Sequence, residues 1–248
     1  MLRPSMRVIS RSASVAVVHD HDTDRVHKHN KNVDEARREY EIMTKLNGFE
    51  FAVQAMEFTV DRNVASIGMS NGGLNLLDGK ARLQTAGTDV AIAQMVRAVA
   101  GLHRLGVAHL DLKLDNFLVD AQGRIRLCDF GFSVCGSVRQ RMFVGSASYA
   151  APEVWLGVQA DPKQSDLWSL AVCTFAVATG HYPFESARKE CPQYRDFEAL
   201  GDDVDALDRL RSVWSDRIGK AIASLSALAN ETVCATLICD PARRRIVE

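Results

Sequence analysis

The stretch His109-Leu110-Asp111-Leu112-Lys113-Leu114-Asp115-Asn116-Phe117-Leu118 decides how the rest of the chain is read. A carboxylate (Asp111), an ammonium (Lys113) and a carboxamide (Asn116) fall within six positions, with apolar residues between and after them. So apolar a stretch packs against a core, and burying three polar heads there without partners is costly. The simplest resolution is that they point into one cleft and meet a charged ligand. A second carboxylate follows in Cys128-Asp129-Phe130-Gly131. One base, one cation, one amide and a separate acid suit phosphoryl transfer, in which positioning and charge neutralisation do nearly all the work.

The whole chain narrows the classes. Its 248 residues can bury one large core or two modest ones. A net charge of −1 gives no hint of a nucleic-acid partner or a bulk membrane surface. The six cysteines lack C-x-x-C spacing and histidine partners, which reads as reduced thiols of an intracellular protein, cytoplasmic by expectation with the nucleus as the alternative. No run of about 18 apolar residues predicts a membrane span. The first 19 residues carry Arg3, Arg7, Arg11 and several serines without an acid. That composition suits an organelle transit peptide, or a basic hairpin of the first two strands, which is the preferred reading.

The ordered combination around residue 109 resembles the protein kinase family, whose catalytic loop is H-R-D-L-x-x-x-N and whose metal loop is D-F-G. The match covers His109, Asp111, Leu112, Asn116 and Asp129-Phe130-Gly131. The resemblance implies an α+β, two-lobed fold. A small, mostly β N-lobe would occupy residues 1–69 and a larger, mostly α C-lobe residues 70–248, together one kinase domain. It also implies ATP and Mg²⁺ as cofactors, a protein substrate and a monomer. Asp111 would accept or orient the hydroxyl proton, and Lys113 would neutralise charge on the transferring group. Asn116 and Asp129 are oxygen donors of the kind hard Mg²⁺ prefers. His109 and Phe130 would stack in a column with residues matching Met43 and Met56.

Taken in order, Met6–Ser10, Ser14–Val18 and Arg25–His29 read as strands. The polar turn from His19 to Asp24 alternates His and Asp, which could hold a metal but more simply forms a solvated hairpin. Lys28 stands where the family places the strand lysine of V-A-I-K. A helix over Asn32–Leu46 follows, with Val33, Ala36, Tyr40, Met43 and Leu46 at helical spacing. By resemblance Lys28 grips the α/β-phosphates and Glu39 holds Lys28, with Glu35 and Glu41 as alternative acids and Lys31 as an alternative lysine.

The main departure is the Gly-rich loop, G-x-G-x-x-G-x-V in the family. Here the segment runs from Ser10 through Ser12 and Val15 to Val17, and only Val17 agrees. Serine is small and can donate a hydrogen bond, but Val15 lacks the freedom of glycine. A stiffer lid with weaker nucleotide affinity is expected. Strands centred on Met56-Glu57-Phe58 and Val64–Ile67 lead to a hinge over Gly68–Gly73, where adenine would pair with backbone groups. Ile67 or Gly68 stands at the back of that pocket. Asp89–Leu105 reads as an amphipathic helix capped by Thr88, and Asp120–Gly123 as the turn of a short hairpin. Cys128 is a small packed residue whose place makes it a labelling probe.

Leu110 replaces the arginine that in the family meets an activation-loop phosphate, and Met142 falls at the phosphoacceptor position. The expectation is a loop ordered without phosphorylation, with Arg139, Arg141, Met142 and Phe143 held by packing. Ser133 and Ser137 are the candidate sites that would contradict it. Gly145-Ser146-Ala147-Ser148-Tyr149-Ala150-Ala151-Pro152-Glu153 resembles the end of the family's activation segment. Ser146 and Lys113 together favour Ser/Thr substrates, and Glu153 would pair with a buried arginine, Arg244 in preference to its neighbours. Asp166 would cap an apolar helix reaching about Thr179 and tie the catalytic-loop backbone. Ala176 argues against strong arginine selectivity, although Asp115, beside the site, could favour a nearby cation. Further helices are expected around Phe197–Leu200, Val204–Ile218 and Ala221–Leu237. Two rival readings are a pseudokinase scaffold, suggested by the lid, and a small-molecule kinase, disfavoured by Asp-Phe-Gly and Ala-Pro-Glu.

Overall fold

A computed structural model describes residues 5–78, 87–136, 145–214 and 216–247. Ser137, Arg139, Arg141, Met142 and Phe143, named in the expectation for the activation loop, lie outside the described residues. Five strands form the first layer: β1 (Met6–Arg11), β2 (Val15–Asp20), β3 (Arg25–Asn30), β4 (Ala55–Asp61) and β5 (Val64–Ser70), in the antiparallel order β1-β2-β3-β5-β4. Helix α1 (Val33–Lys45) lies against β3, β4 and β5. Asn32 caps it by accepting the Glu35 N–H, and Ala36, Met43 and Leu46 bury the predicted stripe.

Register assigns the faces of this sheet. Val17 pairs with Lys28, Lys28 with Ile67, and His19 with Val26, so these side chains share one face. Gly68 pairs with His27 and Glu57 on the opposite face, and a Cβ on Gly68 would come 2.6 Å from Glu57 Cγ. Ile67, fully buried, is therefore the residue beside Lys28. The expected place of Met56 is corrected. A bulge between Ala55 and Glu57 interrupts the β4–β5 ladder, and Met56 is 46% exposed while Ala55 is buried. One inserted residue reverses the alternation of side chains, which strand periodicity alone does not reveal. The hinge also begins later than expected. Gly68 to Ser70 stay in the ladder, and the Ser70 N–H donates to the Gln54 carbonyl at 3.0 Å.

The remaining described chain is mostly helical. It contains α2 (Thr88–Arg104), α3 (Pro152–Trp155), α4 (Pro162–Thr179), α5 (Pro192–Ala199), α6 (Ala206–Val213), α7 (Asp216–Ala223) and α8 (Ala227–Thr236). Short strands carry the site: β6 (Leu74–Asn75), β7 (Val107–Ala108), β8 (Phe117–Val119), β9 (Ile125–Leu127) and β10 (Val134–Cys135). They form a β6-β8-β9 sheet and a β7-β10 pair. Helix α4 packs against α2 and α8, and every residue from Ser165 to Ala176 is buried. Two expected caps differ. Gly87, at φ 86°, precedes α2, with Thr88 inside its first turn. Asp166 lies inside α4, which Asp161 caps and Pro162 opens. The expected helix over 204–218 is two helices, and the one over 221–237 is broken at Ser226, which caps α8 by accepting the Ala229 N–H. Among the described residues no helix is long and apolar enough to cross a membrane.

Candidate active site

The catalytic stretch leaves α2 through β7 and returns as β8. Leu112, Leu114 and Phe117 are buried, so the loop is anchored at alternating points and its polar side chains are forced to one side. Leu110 adopts φ 67°, a left-handed conformation that costs a bulky residue on the order of 1–3 kcal/mol. Asp166 holds it there. Its two oxygens accept the His109 and Leu110 N–H groups, each at 2.8 Å, and His103 Nε2 lies 2.9 Å from Oδ2. Gly145, at φ 91°, crosses so closely that a Cβ would sit 2.7 Å from the Leu110 carbonyl oxygen.

The reacting groups converge from three segments. Lys113 Nζ donates to Asp111 Oδ2 at 2.7 Å and to Ser146 Oγ at 3.1 Å. Ser146 Oγ in turn donates to Asp111 Oδ1 at 3.1 Å. Asn116 Nδ2 donates to the Asp111 carbonyl (2.9 Å) and to Oδ2 (3.1 Å), which leaves Oδ1 as the amide atom suited to a cation. The Cys128 N–H donates to the Asn116 carbonyl at 3.0 Å, so Asn116 and Asp129 hang from adjacent parts of one hairpin. Two oxygen donors of this type fit Mg²⁺.

Facing them from the sheet, Lys28 Nζ bonds Glu39 Oε1 at 2.8 Å and Asp129 Oδ1 at 2.6 Å. Glu39 is the acid that the structure brings to Lys28; Glu35, Glu41 and Lys31 are exposed. Burial alone would weaken the Lys28 ammonium, but Glu39 and Asp129 outweigh it and hold its pKa above the ordinary lysine value. Burial pushes the Asp129 carboxyl up, and Lys28 more than reverses this, leaving it lowered. Burial pushes the pKa of the half-buried Cys128 thiol above the ordinary value. Asp129 also takes a left-handed φ of 62°. The ring centroids of His109 and Phe130 lie 5.1 Å apart, both residues fully buried along with Met43. His109 accepts the Asp111 N–H at Nδ1, so Nε2 carries the proton donated to the Cys128 carbonyl at 3.0 Å.

The lid of β1 and β2 is built differently. None of residues 10 to 17 has a positive φ. Ser10 lies in β1, paired with Val17, and the Ser12 hydroxyl accepts the Val15 N–H at 3.1 Å. The expected donation by serine to a ligand is thus replaced, at Ser12, by closure of its own turn. Lys31 Nζ reaches across to the Ala13 carbonyl at 2.8 Å, and its N–H to the Ser14 carbonyl at 3.0 Å. Sequence reasoning missed this use of Lys31, and also His103, because each reads locally as an ordinary surface charge or a polar helix position.

Beneath the site, Glu153 and Arg244 form a two-fold contact (2.6 and 2.8 Å), and Ser165 Oγ donates to Glu153. Both residues are buried, while Arg243 and Arg245 are exposed. Arg209, unremarked in the sequence, makes a second buried pair with Asp202 at 2.6 Å.

The family model described as "Protein kinase domain" matches residues 7–245. Testis-specific serine/threonine-protein kinase 5 of Mus musculus is 41% identical over 95 residues, covering 37% of this chain and 26% of the mouse protein. Testis-specific serine/threonine-protein kinase 1 of Mus musculus is 34% identical over 162 residues, covering 60% of this chain and 44% of the mouse protein. CBL-interacting protein kinase 22 of Oryza sativa subsp. japonica is 31% identical over 165 residues, covering 60% of this chain and 37% of the rice protein. The chain spans less than half the length of each of these relatives.

Proposed function

The chain belongs to the protein kinase family, and on that premise we propose that it transfers the γ-phosphoryl group of ATP to Ser or Thr hydroxyls of protein substrates inside the cell. The observation that carries this reading is the Asp111–Lys113–Ser146 cluster, in which a base, a cation and a hydroxyl from two segments lie within 3.1 Å of one another. Asp111 receives or orients the substrate hydroxyl hydrogen, and Lys113 stabilises charge on the phosphoryl group. Ser146 fixes both. Asn116 and Asp129 would hold Mg²⁺, which supplies charge neutralisation at the phosphates. Lys28, oriented by Glu39, grips the phosphates. The domain has a small lobe that ends with the sheet at Ser70 and a large lobe that follows it, and it acts as a monomer.

Activity without activation-loop phosphorylation is supported by Leu110, which offers a phosphate no cation. It is also supported by Ser133, whose hydroxyl donates inward to the His109 carbonyl at 3.1 Å. The second reading, a scaffold that binds nucleotide or partners without efficient turnover, is favoured by the lid. The test is purified protein with Mg²⁺-ATP and a peptide library, beside Asp111→Asn. Ser/Thr phosphorylation that Asp111→Asn abolishes is the expected result. Nucleotide binding without turnover would establish the scaffold instead.

A further inference from the structure

The turn between β2 and β3 touches the segment that leaves the sheet for the large lobe. Asn71 Nδ2 donates to Asp24 Oδ1 at 2.8 Å, and His19 Nε2 lies 2.9 Å from the same oxygen. Asn71 Oδ1 accepts the Gly73 N–H at 3.0 Å. Asp24 is 75% exposed and stands at φ 50°. Asp24 ends the hairpin turn closed by the Asp20–Arg25 pair, a place where a left-handed Asp is ordinary, and from there its carboxylate meets Asn71 and His19. Hydrogen bonds from Asn71 and His19 hold the Asp24 carboxyl below its ordinary pKa.

The far end of the contact is sterically constrained. Gly73, at φ 100°, passes so near β8 that a Cβ would sit 2.2 Å from the Val119 carbonyl oxygen. The next residue, Leu74, pairs with Val119, three positions beyond Asn116. At the near end, His19 lies on the sheet face that carries Val17 and Lys28. A short chain of contacts thus joins the Lys28 face of the sheet to the strand that follows the catalytic loop.

We propose that His19, Asp24 and Asn71 form a latch between the lobes, and that they are positioning residues which set the crossing segment and so the spacing of Lys28 from the catalytic loop. The latch acts on the nucleotide through this geometry and touches no reacting atom. Its link to nucleotide binding rests on the function proposed above. Its structural part does not.

The test compares Asn71→Ala, Asp24→Ala, their double variant and Asp24→Asn, which keeps an acceptor oxygen at Oδ1. Amide exchange of Gly73 is read first, and then the dissociation constant of Mg²⁺-ADP by calorimetry. Loss of one such hydrogen bond should speed Gly73 exchange and weaken ADP by roughly three- to tenfold. The double variant should fall short of the sum of the two single effects, because either change alone removes the Asn71–Asp24 contact. Asp24→Asn should retain most of the wild-type behaviour. Unchanged Gly73 exchange in Asp24→Ala, which leaves the Gly73 N–H its Asn71 acceptor, additive effects in the double variant, or an ADP affinity that stays constant while exchange rises would each overturn the latch. If the unmutated protein binds no ADP, the proposed function fails, and the exchange data still decide the latch.

Discussion

In the loop from His109 to Asn116, polar heads are bonded to groups far along the chain: Asp111 meets Ser146, 35 residues on, and His109 meets Cys128, 19 residues on. In the lid, the Ser12 hydroxyl is bonded three residues away, and Lys31 secures the tip. Both segments are short and hold several polar groups. The loop is pinned by buried leucines on either side, so its side chains can be aimed across the cleft at another segment. The lid is an exposed hairpin whose hydrogen bonds are spent on its own closure. Polar groups that converge from separate segments on an anchored loop point to chemistry, and polar groups that close a turn on itself point to local stiffness.

The contrast can be broken most severely at Asp111. Asp111→Asn should lower turnover by about 10²- to 10⁴-fold, the usual worth of a positioned acid or base, with nucleotide affinity nearly unchanged. Steady-state phosphotransfer beside calorimetric binding separates the two, and persistent turnover would remove Asp111 from the chemistry. Next in size is the support under the loop. Glu153→Ala leaves the Arg244 guanidinium buried and uncompensated, and should cost about 3–5 kcal/mol in denaturant unfolding. A cost below about 1 kcal/mol, the scale of surface pairs, would mean the pair is not buried in solution.

Smaller effects belong to the lid. Lys31→Met with Ser12→Ala should loosen the hairpin, raise amide exchange over residues 12 to 15, and shift the KM for ATP by less than about tenfold, the scale of one or two hydrogen bonds. A collapse of kcat in that variant would show that the lid takes part in the chemistry after all. The smallest effect is expected at Asp120, in the turn between β8 and β9. Burial by itself would raise its carboxyl, but hydrogen bonds from the Arg124 backbone and from the Arg124 and Arg126 side chains bring it down to about 2. Because the folded value is depressed, the acid stabilises the fold above its ordinary value of 3.8 and loses that contribution as pH falls toward about 2. Asp120→Asn should therefore cost about 0.2–1 kcal/mol at neutral pH and progressively less below about pH 4. A difference that persists undiminished near pH 2 would refute the assignment.

How far the sequence was legible follows from the same physics. Fixed spacing of Asp111, Lys113, Asn116 and Asp129 survives folding because the loop and hairpin are short, so the convergence could be read directly. Helix α1 was legible from periodicity, but three of its acids could have met Lys28, and only the sheet register brings Glu39 there. Met56 was misplaced because a bulge shifts alternation by one. Asp166 was read as a cap because a carboxylate before an apolar run resembles one, although the stronger start, Asp161-Pro162, lay a turn earlier. The Asn71–Asp24 contact spans 47 residues between two turns, and nothing local in either turn announces the other.

The ion pair of Glu153 and Arg244 has a consequence for the order in which this molecule can be made. Its partners are 91 residues apart, and Arg244 also donates to the carbonyls of Gln164, Ile238 and Cys239. A nascent chain that has passed Glu153 must wait for those 91 residues before the carboxylate finds its cation. Until then the segment around α3 and the start of α4 carries an acid that is costly to enclose. The sheet is complete by Ser70, whereas the seat of Glu153 closes only once Arg244 has been made.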